Sequence, residues 1–202
     1  MDNTANQIEL CGTLGALPEY SHENHGRVFY RFELEVERLS GTLDILPVLA
    51  DEQTLNEIDL SGGQMLRVEG QVRSFNSRSL TGRRLMISVL AQSLVSCDDE
   101  PENLVTLRGA ICREPTYRRT PLGREICDVM LAVNRHYRRS DYLPCILWGR
   151  TAQEICCKPV GTVLQLVGRL QSREYVKLLE NGSETRVAYE ISALSAQAVE
   201  DE

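Results

Sequence analysis

The stretch HYRRSDYLPCILWGR, residues 136–150, holds the chain's only tryptophan together with two tyrosines and three arginines. Aromatic rings beside guanidinium groups can do one kind of chemistry without catalytic machinery. Rings stack on flat π-faces, and the cations neutralise phosphates or stack in their turn. The combination recurs downstream, where LQSREYVK carries Arg173, Tyr175 and Lys177, and upstream, where PTYRRTPLGR carries Arg118 and Arg119. A surface of this kind receives something flat and negatively charged, provided the rings face solvent. The competing reading is ordinary packing, because aromatic side chains also dominate hydrophobic cores.

The elements that position these residues decide between the two readings. VFYRFELEVE (28–37), EICDVMLAVN (125–134), QMLRVEGQVRSF (64–75) and TVLQLVGRLQSREY (162–175) alternate with period two and predict strands. In YLPCILW (142–148), a strand puts Leu143, Cys145 and Leu147 on one face and Tyr142, Pro144, Ile146 and Trp148 on the other. Along 164–175 the apolar set Leu164, Leu166 and Leu170 is opposed by a face carrying Arg169, Arg173 and Tyr175.

The chain also provides its own control, because it repeats. A shift of 97 residues superimposes Asn6 on Asn103, Gly12 on Gly109, Tyr20 on Tyr117, Arg38 on Arg135 and Pro47 on Pro144, among others. In the first copy the interior positions Leu46, Val48 and Ala50 stay apolar, whereas the positions matching Tyr142 and Trp148 are Ile45 and Asp51. An aspartate could hardly occupy a site that the core needs filled, since a buried unpaired carboxylate is costly. Trp148 is therefore expected to face outward.

The pattern in each copy is five strands, a helical turn or two after the third (DEQTLNEI or RTAQEICC) and a long hairpin between the fourth and fifth. This predicts a mainly all-β chain of two tandem five-stranded barrels of the OB type, each with a short helix between strands 3 and 4. Other small barrels fit the same pattern. The expected layout is a first domain over 1–97, a linker over 98–102, a second domain over 103–197 and a short acidic tail over 198–202.

The net charge of −7 is uneven: residues 1–102 carry eight Arg, no Lys and 17 acidic residues, net −9, while 103–202 are net +2. An acidic first barrel and a basic, aromatic second barrel place the binding of a polyanion on the second. Seven cysteines without CxxC pairs read as free thiols in a cytosolic protein, and no leader-like or membrane-spanning run is present in the sequence. HENH (22–25) lacks the ligands of a zinc site, and no nucleophile–base pair or phosphate loop is present. The expectation is a non-enzymatic protein without metal or cofactor.

With strands and faces assigned, NLVTLRGAICREPTYRRTPLGRE, LAVNRHYRR, LPCILWGRTAQE and VGRLQSREY resemble the bacterial single-stranded DNA-binding protein (SSB) family over nearly all of 103–195. The first copy, 6–96, is similar only in outline. The resemblance implies base stacking on Tyr137, Tyr142, Trp148 and Tyr175, whose first-copy counterparts are Ser40, Ile45, Asp51 and Ser77. Arg118, Arg119, Arg135, Arg138, Arg139, Arg150, Arg169, Arg173 and Lys177 would neutralise phosphates. The family assembles four OB domains, a number that a homodimer of this chain would supply. The implied role is sequence-tolerant binding of single-stranded DNA in replication, repair or recombination, in the cytoplasm at the nucleoid. The family's acidic tail ending in Asp-Pro-Phe, which recruits replication and repair proteins, has no match in QAVEDE, and this departure suggests an accessory form. Two rival roles share the fold: a protein-interaction subunit of a replication-restart or mobile-element system, and an RNA-binding module.

Overall fold

The computed structural model describes residues 5–79, 82–135, 139–179 and 182–199. The first copy forms β1 (Asn6–Leu14), β2 (Glu19–Asn24), β3 (Arg27–Glu37), β4 (Leu43–Asp51), α1 (Glu52–Leu55), β5 (Met65–Ser79) and β6 (Gly82–Ser96). The second forms β7 (Glu102–Ile111), β8 (Thr116–Arg119), β9 (Glu125–Asn134), β10 (Ser140–Trp148), α2 (Gly149–Ile155), β11 (Val163–Leu179) and β12 (Gly182–Val199). Each copy is an OB barrel. Each has one short strand more than the five expected, β2 or β8, because the loop after the first strand folds back onto the next. In the second copy this hairpin sets Tyr117 opposite Cys127 and Arg118 opposite Ile126.

Alternation builds both interiors. Leu34, Leu46, Val48, Leu66, Val68 and Val89 fill barrel one, and Leu131, Leu143, Cys145, Leu164, Leu166 and Ile191 take the matching places in barrel two, all at most 1% exposed. The first strand closes each barrel against the third, at Thr13↔Glu35 and Ala110↔Ala132. A Cβ at Gly12 would lie 2.5 Å from the Glu35 carbonyl oxygen, and one at Gly109 would lie 2.8 Å from that of Ala132. The crossing strands leave room only for glycine there.

The barrels join edge to edge. β1 pairs antiparallel with β7, with Asn6 opposite Leu107, Ile8 opposite Val105 and Leu10 opposite Asn103. Because Ile8 and Val105 are equivalent residues, a pseudo-two-fold axis passes between them, and the junction is isologous within one chain. The result is a continuous 12-stranded sheet.

Buried polar groups repeat about this axis. The Asn6 side chain donates to the Val72 carbonyl at 2.7 Å and accepts from the Val72 N–H at 2.9 Å; Asn103 does the same with Leu170 at 2.7 and 2.9 Å. Each pins the fourth main strand of its barrel beyond the end of the backbone ladder. Two aspartates then lock each hairpin onto the opposite barrel. Asp44 accepts from Arg38 at 2.7 and 2.6 Å and from the Ser172 N–H at 2.7 Å. Asp141, fully buried, accepts both Arg135 donors, Arg73 at 3.1 Å and the Ser74 N–H at 2.5 Å.

Candidate nucleic-acid interface

β10 is the strand on which the interface is built. Its inward row starts with Asp141 and continues through Leu143, Cys145 and Leu147, all buried. Its outward row is Tyr142, Pro144, Ile146 and Trp148, with Tyr142 46% and Trp148 38% exposed. Between these two rings lies a groove of about 450 Å³ floored by Pro144 and Ile146, with Arg118 and Asp128 on one wall and Arg173 and Glu190 on the other. The β8–β9 hairpin provides the first wall and the β11–β12 hairpin the second.

Local geometry fixes each ring. Trp148 ends β10 and is also the N-cap residue of α2, with extended φ −123° and ψ 148° and no side-chain cap bond. Its indole N–H donates instead to Ser192 Oγ at 3.0 Å across the parallel β10–β12 pairing, which sets Ile146 opposite Ser192. The ring is thereby anchored to β12 while it remains partly open to solvent. The Tyr142 N–H donates to Ser74 Oγ at 2.7 Å, so the first ring of the row is seated by barrel one. Tyr175 is half-buried on β11, with the Arg173 guanidinium carbon 5.9 Å from its ring centroid.

The expected cations divide into three groups. Arg118 is bidentate on Asp128 at 2.6 and 3.1 Å, Arg119 meets Glu125 at 3.0 Å, Arg150 meets Glu154 at 2.8 Å and Arg173 meets Glu190 at 3.5 Å. These pairs are exposed on the arginine side, where ion pairs contribute little and a phosphate can compete for the guanidinium. Arg139, Arg169 and Lys177 have no ion pair among the described residues, and the buried Nε of Arg169 has no acceptor. Arg135 corrects the expectation: its guanidinium is consumed by Asp141 and by the Ser74 carbonyl at 2.9 Å, so it fastens the two barrels instead of facing the groove. Tyr137 and Arg138 lie outside the described residues.

Burial and the local charges hold the Glu190 carboxyl above its usual range: removal from water raises it most, Arg173 draws it down, and Asp128 pushes it up again. A carboxyl that gives up its proton reluctantly, beside two arginines in a groove, is suited to yield them to a stronger anion.

Sequence reasoning missed the carboxylates of the groove and the role of Asp141. One signal was available for the latter. Asp44 and Asp141 fall on the same 97-residue register as Arg38 and Arg135, and both occupy inward-facing strand positions. A repeated acidic residue in an apolar row implies a repeated buried partner.

Two OB barrels fused through their first strands, with one aromatic and cationic groove on the second, define a tandem-OB protein of the oligonucleotide-binding architecture. The Single-strand binding protein family model matches residues 102–199. Single-stranded DNA-binding protein B of Bacillus subtilis is 35% identical over 81 residues, covering 36% of this chain and 71% of that protein. Single-stranded DNA-binding protein A of the same organism is 34% identical over 106 residues, covering 48% and 59%. Another relative, the single-stranded DNA-binding protein of Enterococcus faecalis, is covered over 43% of its length, so the chain spans about half of several curated relatives. The wild-type single-stranded DNA binding protein of Thermus aquaticus superimposes with a TM-score of 0.78 at 23% identity, over 98% of this chain and 94% of that one. The chain belongs to the single-strand binding protein family, which is a DNA-binding and non-enzymatic family. Among the described residues no helix is long and apolar enough to cross a membrane.

Proposed function

We propose that this chain binds single-stranded DNA without sequence preference, through barrel two, in replication, repair or recombination in the bacterial cytoplasm. The observation that carries the reading is the outward row Tyr142–Trp148 beside a groove walled by Arg118 and Arg173, where barrel one offers only Ile45 and Asp51. Bases stack on Trp148, Tyr142 and Tyr175, each contributing roughly 1–3 kcal/mol. Arg118, Arg119, Arg150 and Arg173 receive phosphates as their carboxylate partners are displaced, and Arg139, Arg169 and Lys177 receive them with no ion pair among the described residues to break. Barrel one, acidic and lacking stacking residues at these positions, supports assembly, and two chains bring four OB barrels together. Residues 1–97 and 103–197 act as the two domains.

Titration with oligo-dT at several salt concentrations tests the reading through the fluorescence of Trp148. Binding quenches the indole and weakens as salt rises. Unchanged fluorescence, together with no retention of the oligonucleotide at low salt, would reject it. Tighter binding of oligo-U in the same titration would move the assignment to RNA.

A further inference from the structure

Seven of the eight positions from Asn6 to Thr13 follow a simple rule, buried when even-numbered and more exposed when odd, and Cys11 breaks it. Its side chain belongs to the outward face with Gln7 and Glu9, which are exposed, yet it is fully buried. The cover is the segment that leaves β6 for β7. The Cys97 N–H donates to the Met65 carbonyl at 3.2 Å, carrying the chain across β5, and Cys97 Sγ then lies 3.1 Å from Cys11 Sγ. Arg67, the cross-strand neighbour of Cys11, holds the rest of the segment by donating to Asp99 at 2.9 Å and Glu102 at 2.8 Å.

The geometry points to Cys11 and Cys97 as a dithiol that a peroxide converts to a disulfide, stapling the first strand of barrel one to the segment that leads into barrel two. The sulfurs need only about 1 Å of further approach to bond. The Asp99 carboxylate also stands within 4.8 Å of both sulfurs, which outlines a three-ligand metal site. Its engagement by Arg67 argues against that alternative, because a cation would face a guanidinium and the third ligand is already in use. Access sets the order of events. Cys97 is half-exposed and meets the oxidant, while burial and the neighbouring Cys97 push the Cys11 thiol up to about 12 and keep it protonated. The Cys97 sulfur attacks the peroxide O–O bond and becomes a sulfenic acid, releasing water. Cys11 then attacks that sulfur, its proton leaving with the hydroxyl as a second water. Two thiols and one hydrogen peroxide give one disulfide and two waters, and a thiol reductant reverses the change.

The experiment uses the full chain carrying Cys156→Ser and Cys157→Ser, because those two sulfurs, one half-buried and one exposed, lie 3.6 Å apart and would confuse a thiol count. Stoichiometric hydrogen peroxide should remove two titratable thiols, yield a reducible peptide joining Cys11 to Cys97 and raise Tm by about 5 °C or more. Adding Cys97→Ser, a change at a half-exposed position, should abolish all three effects. Conversion of Cys97 to sulfinic acid without a cross-link, a cross-link to any other cysteine, or protection of both thiols by zinc alone would each overturn the assignment.

Discussion

Barrels one and two place an aspartate and a tryptophan at the same backbone position, the residue that ends the third main strand and begins the short helix. Asp51 caps α1, accepting from the Thr54 N–H at 2.9 Å and its hydroxyl at 2.7 Å, and these bonds hold its carboxyl below the usual range. Trp148 caps nothing and hands its one donor to Ser192. A single site on the scaffold can finish a helix or present a stacking platform, but one side chain cannot do both. Barrel two forgoes about 1 kcal/mol of cap stability at the position where a ring serves the groove. That local inconsistency is the mark of a functional residue.

The sharpest way to break the pairing of the two halves is Asp141→Ala. It strands Arg135, Arg73 and the Ser74 N–H against a buried void, and chemical denaturation should report a loss of about 3–5 kcal/mol. Next comes Trp148→Asp, which gives barrel two the residue of barrel one. Single-stranded DNA affinity should fall by roughly 1–3 kcal/mol in a filter-binding titration, while thermal stability holds or rises because α2 gains a cap. Survival of full affinity would show that the row on β10 is not the stacking surface.

A smaller effect follows from Glu190. Its carboxyl is held above the usual range, so as pH falls toward that point the group loses its charge and releases Arg173. Affinity should therefore strengthen on going from pH 7 to pH 5, by roughly 0.5–1 kcal/mol, and Glu190→Gln should bind tightly at both values. The sign for stability is the same, since a raised carboxyl favours the folded protein when protonated. The smallest change in DNA affinity, none, is expected of Asp51→Ala, which loses about 1 kcal/mol of stability with α1.

Much of this was legible in the sequence because two periodicities, two residues within strands and 97 residues between copies, acted together. The alternation in YLPCILW assigned Trp148 to the outer face, and Asp51 supplied the control that excluded a core role. Arginine was harder to read. Arg135 and Arg173 look alike in sequence, and only the docking of one barrel on the other separates a buried fastener from a groove cation. The Arg118–Asp128 pair was hidden for a related reason: it runs diagonally across the β8–β9 hairpin, and its register depends on a short strand that the loop residues did not announce.

The antiparallel seam between β1 and β7 has a further consequence. In a dimer of separate chains, that seam opens on dilution and both partners must come from one coding sequence. Here the tether keeps the partner edge at a fixed, high effective concentration whatever the amount of protein, and the two halves are encoded apart. Drift in one half no longer alters the other, which is how an acidic barrel can remain joined for good to a basic one.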